Sequence, residues 1–175
     1  IGERKSLLAL VELEKSAPKS AQPIVATAIC LVVVDCASRE GYLVETLTFA
    51  DRNAGFQEAL RSAAAGLGAL GVAGRATATT ALFEIGVPSQ DPTRAPVSLA
   101  LATIALRNTP AMLSVLERLP RQDDAIALLA EGFDMLEEDL DKERFFVLVR
   151  RTYWASAEGA PTRELMRTLI GRLDF

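Results

Sequence analysis

Eight prolines and eleven glycines punctuate this chain of 175 residues. They cut it into eight or nine pieces of about 10 to 18 residues, the usual length of a globular helix. Several of these pieces carry an apolar seam at helical spacing. Ile126, Leu129, Phe133, Leu136 and Leu140 alternate three and four apart, with acidic residues on the other faces. Thr109-Pro110 opens another helix with a capping hydroxyl and proline at the first position, and Met112, Leu113, Leu116 and Leu119 follow. Thr162 opens a last one carrying Leu165, Met166, Leu169, Ile170 and Leu173. The pattern predicts an all-α single domain over residues 1–175, either a helical bundle or a short stack of helical hairpins.

The first half of the chain is less decided. Residues 3–16 read as an amphipathic helix ending near Pro18, and Asn53 to Gly66 as another. The run Ile24 to Val34 is apolar on every side, so periodicity cannot separate a buried helix from a buried strand. YLVETLTF (42–49) is equally ambiguous, and ASREG between the two could close a hairpin. An α+β fold with a hairpin at about 28–49 is therefore the alternative. PAMLSVLERLPRQDDAIALLAEGFDMLEE resembles one antiparallel hairpin of the HEAT or armadillo kind. No fixed period runs through the chain, so the likeness implies an architecture and no family.

Composition narrows the chemistry. The chain has no histidine, which removes the commonest general base and the commonest metal ligand. Two cysteines, Cys30 and Cys36, are expected as buried thiols, and with so few of them neither a metal nor a cofactor is expected. A net charge of −4 argues against a nucleic-acid partner. The longest apolar run falls short of the about 20 residues a membrane span needs. Thiols and the lack of a secretory pattern point to a cytoplasmic chain, and the helix-like start at Ile1 to a piece of a longer one.

Three motifs bear on function. Gly66-Leu67-Gly68-Ala69-Leu70-Gly71 spells a dinucleotide fingerprint, but the preceding FQEALRSAAA reads as helix and Glu84 comes too early to be the ribose-binding acid. These glycines are read as the end of a helix and a connection. The acidic segment from Asp123 to Glu143 lacks the alternating oxygen ligands of a calcium loop and fits a solvated face. Asp35 would stand at the end of a strand, where α/β enzymes place catalytic acids, if Ile29 to Val34 were one.

The remaining candidate is Arg150-Arg151-Thr152-Tyr153-Trp154, with the only tryptophan and one of two tyrosines. Arginine, tyrosine and tryptophan are enriched at binding hot spots. Arg150, Arg151, Tyr153 and Trp154 are thus expected to contact another protein or a second copy of the chain. The leading function is a protein–protein interaction or scaffold module using this patch and an apolar helix face, more fitting than an enzyme. The alternatives are a histidine-independent enzyme with carboxylate chemistry around Asp35, and a binder of small apolar ligands.

Overall fold

The computed structural model describes residues 4–32, 36–137 and 139–173. Within them the chain forms ten α-helices and one 3-10 turn, with no strand. In order they are α1 (Arg4–Ser16), α2 (Gln22–Val32), α3 (Glu40–Arg52), α4 (Gln57–Val72) and α5 (Ala76–Gly86), then α6 (Arg94–Arg107), α7 (Thr109–Leu116), α8 (Gln122–Asp134), α9 (Asp139–Ala155) and α10 (Pro161–Arg172). The all-α expectation holds, and the α+β alternative does not. Residues 40–52 form a helix because Leu43, Leu47 and Ala50, four and three apart, make one fully buried stripe. The α2 run buries Val25, Ala26, Ile29 and Cys30 in the same way.

Most consecutive helices fold back on each other, α1 on α2, α3 on α4, α5 on α6 and α9 on α10 among them, and these hairpins stack. α2, α4, α6 and α8 lie side by side in one row, which α10 extends beyond α8. α3, α5 and α7 form the row behind them. Five side-chain bonds between neighbouring hairpins span a nearly constant stretch of chain, while the Arg39–Glu14 pair near the start of the chain spans 25 residues. Thr27 donates to the Ser62 carbonyl, Arg75 to Glu40, Asn108 to the Val72 carbonyl, Arg94 to Glu131 and Ser89 to Asp51, over separations of 35 to 38 residues. A structural period exists where no sequence period is visible, because equivalent positions carry different chemistry.

The glycine stretch lies inside α4, so the expected connection at Gly66 to Gly71 is corrected. Only Ala73 to Arg75 form the turn, with Gly74 at φ +91°. Glycine in a helix interior costs about 1 kcal/mol relative to alanine. Here the cost is offset by contact, since a Cβ on Gly71 would collide with the Ile104 side chain of α6 and lie 2.8 Å from Thr79 Oγ1 of α5.

Other boundaries move as well. Asn108, not Thr109, caps α7: its Oδ1 accepts from the Ala111 N–H, while the Thr109 hydroxyl donates to the Ala105 carbonyl. The seam starting at Ile126 ends with Phe133, because the Met135 and Leu136 N–H groups donate to the Gly132 and Phe133 carbonyls and close the helix. Leu136 is half-buried past that end, and Leu140 belongs to α9, 76% exposed.

The two cysteines are not free thiols. Cys30 and Cys36 form a disulfide, with their Cα atoms 5.1 Å apart. Cys30 stands near the end of α2 and Cys36 directly before the 3-10 turn at Ala37–Arg39, at a Cα separation a disulfide can bridge. The thiol argument for a reducing compartment therefore falls away. No single helix among the described residues is long and apolar enough to cross a membrane; α6 and α7 pass that test only together, and the break at Asn108 bends them by 120°.

Candidate functional site

α9 carries the expected binding residues on a helix whose other side is anchored in the core. Phe145 and Val149 are fully buried, and Phe145 meets Phe133 of α8 with ring centroids 5.1 Å apart. Phe146, half-buried, extends the aromatic cluster. A helix fixed along one side presents the opposite side to solvent. That side holds Leu140, Arg144, Val147, Arg151 and Trp154, with Leu148 and Arg150 at its edges.

Trp154 is 76% exposed, Leu140 76% and Val147 55%. Arg150 and Arg151 are exposed and have no ion-pair partner among the described residues. Arg144 reaches the Asp141 carboxylate at 3.2 Å, and Arg107 of α6 reaches the same carboxylate at 3.3 Å. Tyr153 differs from its neighbours. It is half-buried, with the Arg163 guanidinium of α10 4.7 Å from its ring centroid, and it packs edge-to-face with Trp154, ring centroids 5.1 Å apart. Arg163 also donates to the Ser156 carbonyl, which closes the α9–α10 turn. Tyr153 thus supports the surface, while Arg150, Arg151 and Trp154 form it.

A second apolar surface went unread in the sequence. α2, α4 and α6 leave a groove of about 1120 Å³ on the face away from α3 and α5. Its floor is small, with Ala65, Gly68, Ala69 and Ala100, and Gly68 lets α4 and α6 approach closely: a Cβ there would lie 3.2 Å from that of Ala100. Its rim is large and exposed, with Leu31 at 69%, Met135 at 44% and Leu99 at 39%. Arg61 and Asp91 stand at one end, and Arg107 at the other. Small residues from three helices give no motif, so the only sequence signal was the alanine density of α4 and α6.

Elsewhere the charges serve the stack. A bidentate bond from Glu131 holds the Arg94 guanidinium above its ordinary pKa, and Glu14 does the same for Arg39. Both arginines stay charged at any physiological pH. Asp35 lies outside the described residues. Among those residues no group of histidine, cysteine or carboxylate side chains could hold a metal ion. The α9 face offers guanidinium donors and apolar area, which suits recognition and not proton transfer. The chain matches no protein-family model, no curated protein and no solved structure.

Proposed function

We propose that the chain is a protein-interaction module: a stiff stack of helical hairpins that presents the outer face of α9 to a partner protein. The observation that carries this reading is the sole tryptophan, Trp154, 76% exposed beside two arginines without an ion-pair partner among the described residues. Leaving a large aromatic ring in water forgoes roughly 1.5 to 3 kcal/mol that burial would supply. Buried in a contact, such a side chain is the type that dominates binding energy. The anchored side of α9 keeps the face preorganised, so little ordering cost is added on binding.

Panning a random peptide display library against the chain, with depletion on the Trp154→Ala variant, tests this. Enriched peptides should bind the parent chain and lose at least about tenfold in affinity on Trp154→Ala, with the helical circular dichroism spectrum unchanged. Peptides that bind the variant equally well, or no enrichment at all, would overturn the reading.

A second reading, a binder of small apolar ligands, is favoured by the groove of about 1120 Å³ across α2, α4 and α6, whose size exceeds that of most small-molecule pockets. Organic extraction of the purified chain followed by mass spectrometry separates the two. A stoichiometric apolar compound supports this reading, and none speaks against it.

A further inference from the structure

The exposed side of α9 has a repeat of its own. Leu140, Val147 and Trp154 recur every seven residues, and Arg144 and Arg151 recur at the same interval between them. Seven residues make nearly two helical turns, so Leu140, Val147 and Trp154 stand in one narrow row along about 21 Å of helix, with Arg144 and Arg151 close beside it. The row lies opposite the buried Phe145 and Val149. Arg150 flanks it on one side, and Glu143 is the exposed acid beside it. Lys142 is half-buried, and Asp141 is engaged by Arg144 and Arg107.

Apolar and basic positions that alternate at heptad spacing specify the helix that would cover them. We propose that the α9 row docks an acidic amphipathic helix of a partner protein, packed along α9, with aliphatic side chains between Leu140, Val147 and Trp154 and carboxylates facing Arg144 and Arg151. This deepens the interaction reading above and rests on it. Arginine recognises carboxylates in a bidentate geometry that fixes register as well as charge.

Two other occupants fit worse. An antiparallel pairing of α9 with a second copy would centre on Val147 and bring the arginines of one helix against those of the other, a like-charge juxtaposition. An anionic bilayer would take a broad apolar face with cations at its edges. Here the apolar stripe is one side chain wide, with Arg144 and Arg151 along one side and the exposed acid Glu143 along the other, too narrow and too mixed in charge for an anionic bilayer.

The sole tryptophan reports directly on the row. The probe is a designed helical peptide of three heptads with leucine at one core position and glutamate at the other. Its partner probe carries lysine in place of glutamate. Trp154 emission should shift to the blue on adding the acidic peptide and stay unchanged with the basic one. In the double variant Arg144→Glu, Arg151→Glu the preference should invert, the acidic peptide losing at least about tenfold in affinity and the basic one gaining it. Inversion cannot arise from misfolding, since a misfolded chain loses both.

Equal response to both peptides, a shift produced by phosphatidylglycerol vesicles and not by the peptide, or a concentration-dependent dimer that buries Trp154 would each overturn the proposal. The wider reading fails separately. Trp154-dependent peptides from the display library without acidic residues would sink the acidic helix and leave the interaction module standing.

Discussion

Asn108 Nδ2 donates to the backbone carbonyl of Val72 at 2.9 Å, while its Oδ1 accepts from the Ala111 N–H at 3.3 Å. One side chain therefore caps α7 and ties it to the last residue of α4. Gly74, beside the amide, has no side chain to stand in for it.

Removing both bonds should cost about 1 to 3 kcal/mol, the sum of a lost helix cap and a carbonyl left short of its donor. Asn108→Ala should therefore lower the urea midpoint without changing the slope of the transition. Asn108→Asp separates the two roles, because aspartate can cap α7 and cannot donate to Val72. An aspartate variant as stable as the parent would show that the link to α4 contributes nothing.

α6 and α8 cross closely at Gly132. A Cβ there would collide with the Ser98 carbonyl, which is backbone and cannot rotate away. Gly132→Ala should destabilise by more than about 2 kcal/mol as the helices are forced apart. Gly171→Ala is the control: nothing lies within 4 Å of the added methyl, and the position is exposed in α10. That variant should gain about 0.5 to 1 kcal/mol from helix propensity. Thermal melts of the two should move in opposite directions.

Arg94 joins three elements at once. It makes a bidentate pair with Glu131 of α8, both bonds 2.7 Å, and its Nη1 lies 3.2 Å from the Val87 carbonyl at the end of α5. Its pKa is raised, so the stabilisation is fully present below the ordinary arginine value and is lost only as pH rises through the still higher folded one. Stability from this contact should be flat between neutral and mildly alkaline pH. Arg94→Lys keeps the charge and loses the fork, and should cost about 1 to 2 kcal/mol in thermal denaturation. A lysine variant as stable as the parent would make the contact purely coulombic.

The disulfide closes a short loop, with six residues of separation between Cys30 and Cys36. Loop-closure entropy for so short a ring stabilises by about 2 kcal/mol. Dithiothreitol should lower the melting temperature by several degrees, and the Cys30→Ser, Cys36→Ser double variant should melt at the reduced value and no longer respond to the reagent. A parent chain whose thiols react fully without reductant would contradict the bond.

Much of the architecture was legible because a helix that buries one side announces it: α8 through Ile126, Leu129 and Phe133, and α10 through Leu165, Met166 and Leu169. Spacing alone carries the seam on to Leu140, because it does not register that α8 ends at Asp134 and α9 begins at Asp139. The sequence pattern ends α4 too early for the opposite reason. Its glycines look like breakers in isolation and act as contact points once α5 and α6 lie against them. At the candidate site, residue types singled out Arg150, Arg151, Tyr153 and Trp154, yet types do not say which way a side chain faces. The split between Tyr153 and Trp154 is set by Arg163, which approaches only when α10 folds back. A second seven-residue row, opposite Phe145 and Val149, was present in the sequence and could have signalled the exposed face.

Bonds that reach only from one hairpin to the next, across 35 to 38 residues, also govern how the molecule comes apart. In such a linear array, each unit is held by its neighbours and the outermost units by one neighbour only. Opening should begin as fraying from the ends and reach α4 and α6 last, so amide protons there should be the slowest to exchange with deuterium. α9 sits near one end of the array. A partner clasping it would act as a terminal clamp, slowing exchange in helices it never touches.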